Sequence, residues 1–328
     1  MVLLGVESTA HTASVGVVGE SAEILAIASD MYRPPSGGIH PREAANHHVE
    51  VLPGLVAQAL EQAHVRPSEI EGVAFAQGPG LGPCLRAGAT VARTLSMLWE
   101  KPLVPVNHCV AHVEIARVLS GLDDPMLLYA SGGNTQVIAY ASGRYRVLGE
   151  TLDVGIGNFL DKLWIALGGT FPGGPAIEAA AKEGRELLPL PYTVHGMDVA
   201  FSGMLTAALA LRSKGASRED IAYSVEATAY SMLTEITERA LAHRHAEAVV
   251  LGGGVACNER LRSMVRSMVE ARGGSSFAPP RALCVDNGAM IAWTGLLALR
   301  AGTTSSVEES IVQPRQRTDL VETPWRRG

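Results

Sequence analysis

The chain has 328 residues, room for about two domains or one large α/β unit at roughly 150 residues each. Hydrophobic residues make up 47% and charged residues 18%, which excludes global disorder, because disordered chains are poor in apolar side chains. The net charge of −6 argues against a stand-alone nucleic-acid binder, so any grip on RNA must come from a local patch or a partner's surface.

In chain order, residues 2–6 are apolar, 7–12 polar and 13–18 apolar again, which predicts strand, tight turn and strand. A third strand follows at 24–28. The stretch 42–63 has helical periodicity, with Pro53 expected to kink it. A rigid Gly/Pro loop at 77–83 opens a helix over 84–99. A short strand at 103–106 leads into a helix beginning at His108, with Asn107 placed to cap it. Residues 126–130, 131–135, 136–140 and 144–148 repeat the opening strand–turn–strand–strand layout. That repetition predicts an internal duplication, two similar domains around a cleft. A helix over 224–242 precedes a strand at 248–251. In the helix at 258–271, Leu261, Met264, Val265, Met268 and Val269 fall at i, i+3, i+4, i+7 and i+8. An apolar helix at 289–299 follows Asp286. Residues 307–328 are polar, hold Pro314 and Pro324, and read as a loosely held tail. Strands alternating with helices predict an α/β fold.

The start, MVLLGVEST, lacks the basic and apolar regions of a signal peptide, and no apolar run approaches 18 residues, so neither a leader nor a membrane span is expected. Cys84, Cys109, Cys257 and Cys284 lie far apart with no C-x-x-C pair. A disulfide framework or cysteine zinc site is not expected, and a reducing, cytoplasmic setting fits.

His108 and His112 are the sharpest local pair. At i and i+4 on a helix their Cβ atoms lie about 5–6 Å apart, so both rings can reach one metal ion. Two histidines capping or packing a helix fit the bare spacing equally. The metalloprotease motif is absent, because Cys109 stands where its glutamate belongs. Ser131-Gly-Gly-Asn-Thr135 offers backbone N–H groups to a phosphate or carboxylate, or is an ordinary hairpin turn. Leu251-Gly-Gly-Gly-Val-Ala-Cys-Asn258 joins a strand to a helix and suits an anion or nucleotide, though Asn258 could be only a cap. Asp161 and Glu178 each follow glycines and could hold ligand hydroxyls or sit as first-turn acids. Asp286 by itself reads as an N-cap. Arg33, Arg42, Arg86, Arg93, Arg315 and Arg317 adjoin these loops and could meet a polyanion, or be scattered surface charges.

Taken in order, GVESTAHT, GGIHPREAANHH, QGPGLGPCLR, NHCVAHVEIAR, YASGGNTQV, GETLDVGIGNFLDK, FPGGP, MDVAFSG, LGGGVACN and CVDNGAMIAWTG resemble the universal tRNA threonylcarbamoyladenosine synthase family. The resemblance runs from residue 2 to about 320 and is to the archaeal and eukaryotic-cytosolic branch, the catalytic subunit of the KEOPS complex. It implies two ribonuclease-H-like domains of the actin-like ATPase superfamily. Their expected bounds are 1–120 and 121–306, with a helix at 287–305 packing back on the first domain and a tail at 307–328.

The resemblance also implies the reaction: a threonylcarbamoyl group passes from threonylcarbamoyl-AMP to the exocyclic amine of the adenosine 3′ of the anticodon, in tRNAs reading A-starting codons. It implies one metal ion per subunit, iron in preference to zinc, ligated by His108, His112 and Asp286 with Tyr129 as a further ligand. Tyr129, Ala130, Ser131, Gly132, Gly133, Asp161, Gly174, Glu178 and Asn258 would line the adenylate pocket. Ser8, Thr9, Gly252, Gly253 and Gly254 would form its phosphate and adenine loops. The implied partners are tRNA and the KEOPS subunits: a small kinase-like ATPase on a separate polypeptide, a small dimerising subunit and an accessory subunit. His11 and Thr12 stand where bacterial members carry two acids, as in the archaeal type. The competing readings are an ATP-dependent small-molecule kinase of the same fold, a metalloprotease and a non-enzymatic scaffold. A kinase would hold Mg²⁺ with oxygen ligands and leave the histidine pair unexplained.

Overall fold

The computed structural model describes residues 1–35 and 37–326. In the first half, β1 (Leu3–Glu7) is buried along its length and pairs antiparallel with β2 (Thr12–Val18), from Leu3↔Val18 to Glu7↔Ser14. β3 (Ile24–Met31) adds antiparallel to β2. Helix α1 (Pro41–Ala63) continues through Pro53. Then come β4 (Gly72–Gly78), α2 (Gly82–Trp99), β5 (Leu103–Asn107) and α3 (His108–Ser120). β4 runs parallel to β1 and β5 parallel to β4, giving the order β3-β2-β1-β4-β5.

The second half repeats this. β6 (Met126–Ala130), β7 (Thr135–Ala141) and β8 (Arg144–Glu150) form the antiparallel meander. Helices α4 (Ile156–Ala166) and α5 (Gly173–Ala181), the two-residue strands β9 (Val194–His195) and β10 (Asp198–Val199), then α6 (Ser202–Ser213) and α7 (Arg218–Arg244) intervene. β11 (Ala248–Gly252) then joins parallel to β6. Helix α8 (Glu259–Ala271) leads to β12 (Ser275–Phe277), parallel to β11. The order β12-β11-β6-β7-β8 mirrors the first sheet strand for strand. Two short segments close the chain's core, α9 (Arg281–Cys284) and α10 (Gly288–Arg300).

The expected duplication is therefore present as two mixed five-stranded sheets flanked by helices. Strand β4 escaped the sequence reading, because a short run buried on both faces shows no alternation. α10 is apolar on nearly every face and is accordingly enclosed. It packs on the first sheet, where Gly5 and Gly16 leave room that a Cβ would take from the backbone of Ala292 and Ala289. The helix ends at Arg300, five residues short of the expected 305.

The terminal segment is not loose over residues 307–326; residues 327–328 of the expected tail lie outside the described residues. Ser310, Thr318 and Thr323 are buried, and Gln313 N donates to Gln77 O at 2.7 Å. Trp325 Nε1 donates to the buried Glu114 Oε1 at 2.8 Å, and the Arg326 guanidinium lies 4.4 Å from the Tyr140 ring centre. Polar composition predicted solvation, but Trp325 and Arg326 find partners on the first and second halves respectively. Among the described residues, no helix is long and apolar enough to cross a membrane.

Candidate metal centre and adjoining cavities

Residues just past the carboxyl ends of β1, β4, β5, β6 and β11 line two adjoining cavities, at the strand ends where ligands collect in open α/β sheets. β5 ends at Asn107, whose Oδ1 accepts from Val110 N at 3.0 Å and caps α3. That cap starts the helix so that His108 and His112 project on one face, ring centres 4.8 Å apart. Asp286 arrives from the turn before α10. It is not the cap of that helix: Asn287 is, accepting from Met290 N at 3.0 Å, which leaves the Asp286 carboxylate free to point inward. His112 Nε2 lies 3.2 Å and His108 Nε2 3.5 Å from Asp286 Oδ1. The Tyr129 hydroxyl, at the end of β6, is 2.8 Å from His108 Nε2.

His108 Nδ1 lies 2.8 Å from Glu7 Oε2, and Glu7 is fully buried. That bond fixes the ring and turns its other nitrogen toward Asp286 and Tyr129. Burial opposes a charge on His108, but Tyr129, Glu7 and Asp286 outweigh it and raise its pKa well above the ordinary value. Burial also disfavours the Asp286 carboxylate, yet His108 and His112 hold its pKa well below the carboxylate range. Burial, with the neighbouring His108 charge, lowers the pKa of His112, and burial raises that of Tyr129.

The residues fit a divalent ion. One donor atom each from His108, His112 and Asp286 lies within 4.8 Å of the others; the two histidines are buried and Asp286 is half-buried at the cavity edge. His112 turns its Nε2 into this cluster, while its Nδ1, on the side of Gly252, is buried without a partner. Two imidazoles and one carboxylate that leave positions open form the donor set of non-haem iron, and also suit zinc.

Two cavities meet at this cluster. The larger, about 700 Å³, is lined by Thr9, His108, Tyr129, Ser131, Gly132, Gly133, Asp161 and Asp286 among others. The narrower one reaches Ser131, Gly132, Asp161, Gly174, Glu178, Gly254, Asn258 and Asp286. His11 and Phe171, edge to face at 5.5 Å, line both.

Several expected residues are thus brought together, and others are not. Ala130 lines neither cavity. Ser8 is buried beneath the first turn against Gly88. Gly252 and Gly253 stand behind the cavity wall, where a Cβ on Gly253 would strike Ala130 O. The Thr9 N–H and hydroxyl both donate to Glu7 Oε1 at 2.6 Å, so they are not free for a phosphate. The N-terminus of α8 is also engaged: Asn258 Oδ1 accepts from Leu261 N at 3.1 Å and Glu178 Oε1 accepts from Glu259 N at 3.1 Å. Asp161 Oδ1 accepts from Gly173 N at 2.7 Å. Burial pushes the Asp161 carboxyl up, while Gly173 and His11 act the other way. Of the six arginines, Arg93 is committed to Ser310 and Arg317 to Asp319.

Three participants were missed. Glu7 had a weak signal, a lone acid ending an apolar strand. Tyr230 lines the narrow cavity, and Glu226 Oε1 accepts from Asn258 Nδ2 at 2.6 Å. Both sit inside α7, where spacing alone cannot separate them from packing residues.

The family model of tRNA N6-adenosine threonylcarbamoyltransferase matches residues 23–293. A tRNA N6-adenosine threonylcarbamoyltransferase of Archaeoglobus fulgidus is 53% identical over 325 residues, covering 99% of this chain and 100% of that protein. A probable bifunctional tRNA threonylcarbamoyladenosine biosynthesis protein of Methanocaldococcus jannaschii is 52% identical over 99% of this chain, which spans 60% of that longer protein's length. Among solved structures, HypF of T. kodakarensis aligns over 95% of this chain and 49% of its own, with TM-score 0.66 at 17% identity. That likeness shows the fold alone, the duplicated arrangement of two mixed five-stranded sheets flanked by helices.

Proposed function

Because the chain belongs to the tRNA N6-adenosine threonylcarbamoyltransferase family, we propose that it transfers threonylcarbamoyl from threonylcarbamoyl-AMP to the amine of the adenosine 3′ of the anticodon. The substrates are tRNAs reading A-starting codons. The observation that carries the reading is the buried convergence of His108, His112, Asp286 and Tyr129 on a cleft walled by glycine turns. Neither a kinase nor a protease explains it.

His108, His112 and Asp286 hold the ion in this reading, with Tyr129 beside them as a further ligand. We favour iron over zinc, since the set contains no thiolate and leaves positions open. A bound ion supplies Lewis acidity toward the threonylcarbamoyl oxygens.

The donor is a mixed anhydride and is already activated, so no covalent nucleophile is required. The acceptor nitrogen bonds to the carbamoyl carbon, the bond from that carbon to the phosphate oxygen breaks, AMP departs with the electron pair, and one of the two amine protons is released to solvent. Glu7 keeps His108 in the required tautomer. Gly132 and Gly133 present backbone to the departing phosphate, where N–H groups stabilise developing charge. Asp161, Glu178 and Asn258 surround the nucleoside, and Glu226 holds the Asn258 amide in place. Excluding water and fixing the adenosine amine supply much of the remaining acceleration. An anticodon loop can splay its base into such a cleft.

The chain's charge of −6 implies weak tRNA binding alone, so the assembly is read as completed by KEOPS-type subunits: a kinase-like ATPase, a dimerising subunit and an accessory subunit; the four scattered cysteines fit a reducing, cytoplasmic setting. We also read the chain as domains 1–120 and 121–306 with a C-terminal segment.

The test supplies pre-made donor, unmodified A-codon-reading tRNA and the partner subunits, with metal analysed. Product that disappears in His108→Ala and His112→Ala supports the reading; undiminished product in both variants overturns it.

A further inference from the structure

A line of side-chain amides connects the terminal segment to the helix that presents His108 and His112. Gln77 Nε2 donates to Ile311 O at 2.9 Å, and Gln316 Nε2 donates to Gln77 Oε1 at 2.9 Å. Asn107 Nδ2 donates to Gln316 Oε1 at 3.0 Å, and Asn107 Oδ1 accepts from Val110 N at 3.0 Å. Donor and acceptor alternate without a break. Asn107 is only 3% exposed, so water cannot easily replace Gln316 as the acceptor for its amide.

The backbone around this line is pinned independently. Gly80 N donates to Pro314 O at 3.1 Å, Arg93 Nε donates to Ser310 Oγ at 2.8 Å, and Trp325 holds Glu114. Gln316 is therefore not needed to dock the segment. What its carbonyl adds is a second bond on the one side chain that starts α3. His108 is the first residue of that helix, so the direction of its ring follows the cap directly.

We infer that Gln316 is a positioning residue for the metal centre, acting through Asn107 on the first turn of α3. The inference rests on the reading of His108, His112 and Asp286 as metal ligands. Outer partners of a ligand typically cost about 10–100-fold in metal affinity when removed, and one step further out the lower end applies.

The experiment titrates the metal-free full-length chain with Fe²⁺ under anaerobic conditions, and with Zn²⁺, and records melting without metal. Gln316→Leu keeps the volume and removes both the acceptor toward Asn107 and the donor toward Gln77; Gln316→Glu keeps the acceptor toward Asn107 and gives up only the donation to Gln77, so the two variants together isolate the Asn107 bond. Gln316→Leu is expected to bind about tenfold more weakly with nearly unchanged metal-free melting, and Gln316→Glu to bind close to the wild type. Asn107→Ser keeps a capping oxygen but loses the amide. It should weaken binding as Gln316→Leu does, and the double variant should be no worse than either, because the two act through one bond. It also serves if Gln316→Leu fails to fold. Wild-type affinity in Gln316→Leu, or equal losses in Gln316→Leu and Gln316→Glu, would overturn the inference. A wild-type chain that binds neither metal would instead sink the metal-centre reading, and this one with it.

Discussion

The two sheets share one strand order, yet the turns after their first strands are built differently. After β1 the turn is closed on itself: Glu7 takes the Thr9 N–H and hydroxyl and the His108 ring. After β6 the turn is open: Ser131 N bonds Asn134 O, while Gly133 has free space around its Cα and faces the larger cavity. The first half contributes a buried charge cluster, and the second contributes glycine backbone and room. A duplicated scaffold thus yields two equivalent strand ends, and a few side chains decide which one organises charge and which one stays open to the cavity.

The largest expected break of this contrast comes from the two histidines themselves. His108→Ala and His112→Ala should each lower transfer by about a thousandfold, since removing the ion forfeits several kcal/mol of charge stabilisation. His108→Ala should also destabilise the chain more than His112→Ala does, by about 3 kcal/mol, because it leaves the fully buried Glu7 without its ionic partner. Denaturant unfolding of both variants checks this, and equal stability losses would erase the difference.

The closed turn also rests on His48, whose Nε2 lies 3.0 Å from Ala10 O. Burial, aided by His47, lowers the His48 pKa to about 4. Its folded value is below the unfolded one, so protonation favours unfolding. Its stabilisation is complete above about pH 6.5 and is lost as pH falls toward 4, for a total of about 3 kcal/mol. Unfolding free energies at pH 7 and pH 4 should differ by that much less in His48→Gln; an unchanged pH slope would remove His48 from the account.

A third comparison probes how rigid each turn is. Gly157→Ala places a Cβ 2.7 Å from Gly132 Cα and 2.9 Å from Ser131 O, both backbone, so the open turn must shift at a cost of about 2 kcal/mol. Gly88→Ala meets the Ser8 side chain, which Ser8→Gly removes. Thermal melts should show rescue in the Gly88→Ala, Ser8→Gly double variant, and no single side-chain deletion should rescue Gly157→Ala.

The smallest effect sharpens the role of Glu7. Glu7→Gln loses the charge and keeps a single acceptor for the Thr9 donors and His108 Nδ1 together, and should weaken metal binding about tenfold. Unaltered affinity on titration would mean that the carboxylate only fills space.

Much of the scaffold was legible in the residues. Alternating apolar and polar runs placed both meanders, and the i, i+4 spacing placed His108 and His112 on one face of a helix, because those periods follow from backbone geometry. Asn107 announced its cap in the same way. Asp286 showed nothing of its role locally; the capping residue is its neighbour Asn287. Glu7 and Tyr230 were invisible for a related reason: one ends a strand and the other lies within a long helix, and only packing makes them part of a site.

The sequence by itself determined the duplication, the family and the helix that carries the histidine pair, since each depends on local order along the chain. Only the tertiary structure decided that Thr9 is consumed by Glu7, that α8 begins on Glu178, and that residues 310–326 brace both halves. Those outcomes depend on which polar group meets which across hundreds of residues. A buried hydrogen bond has one partner in space, and composition along the chain does not say where that partner lies.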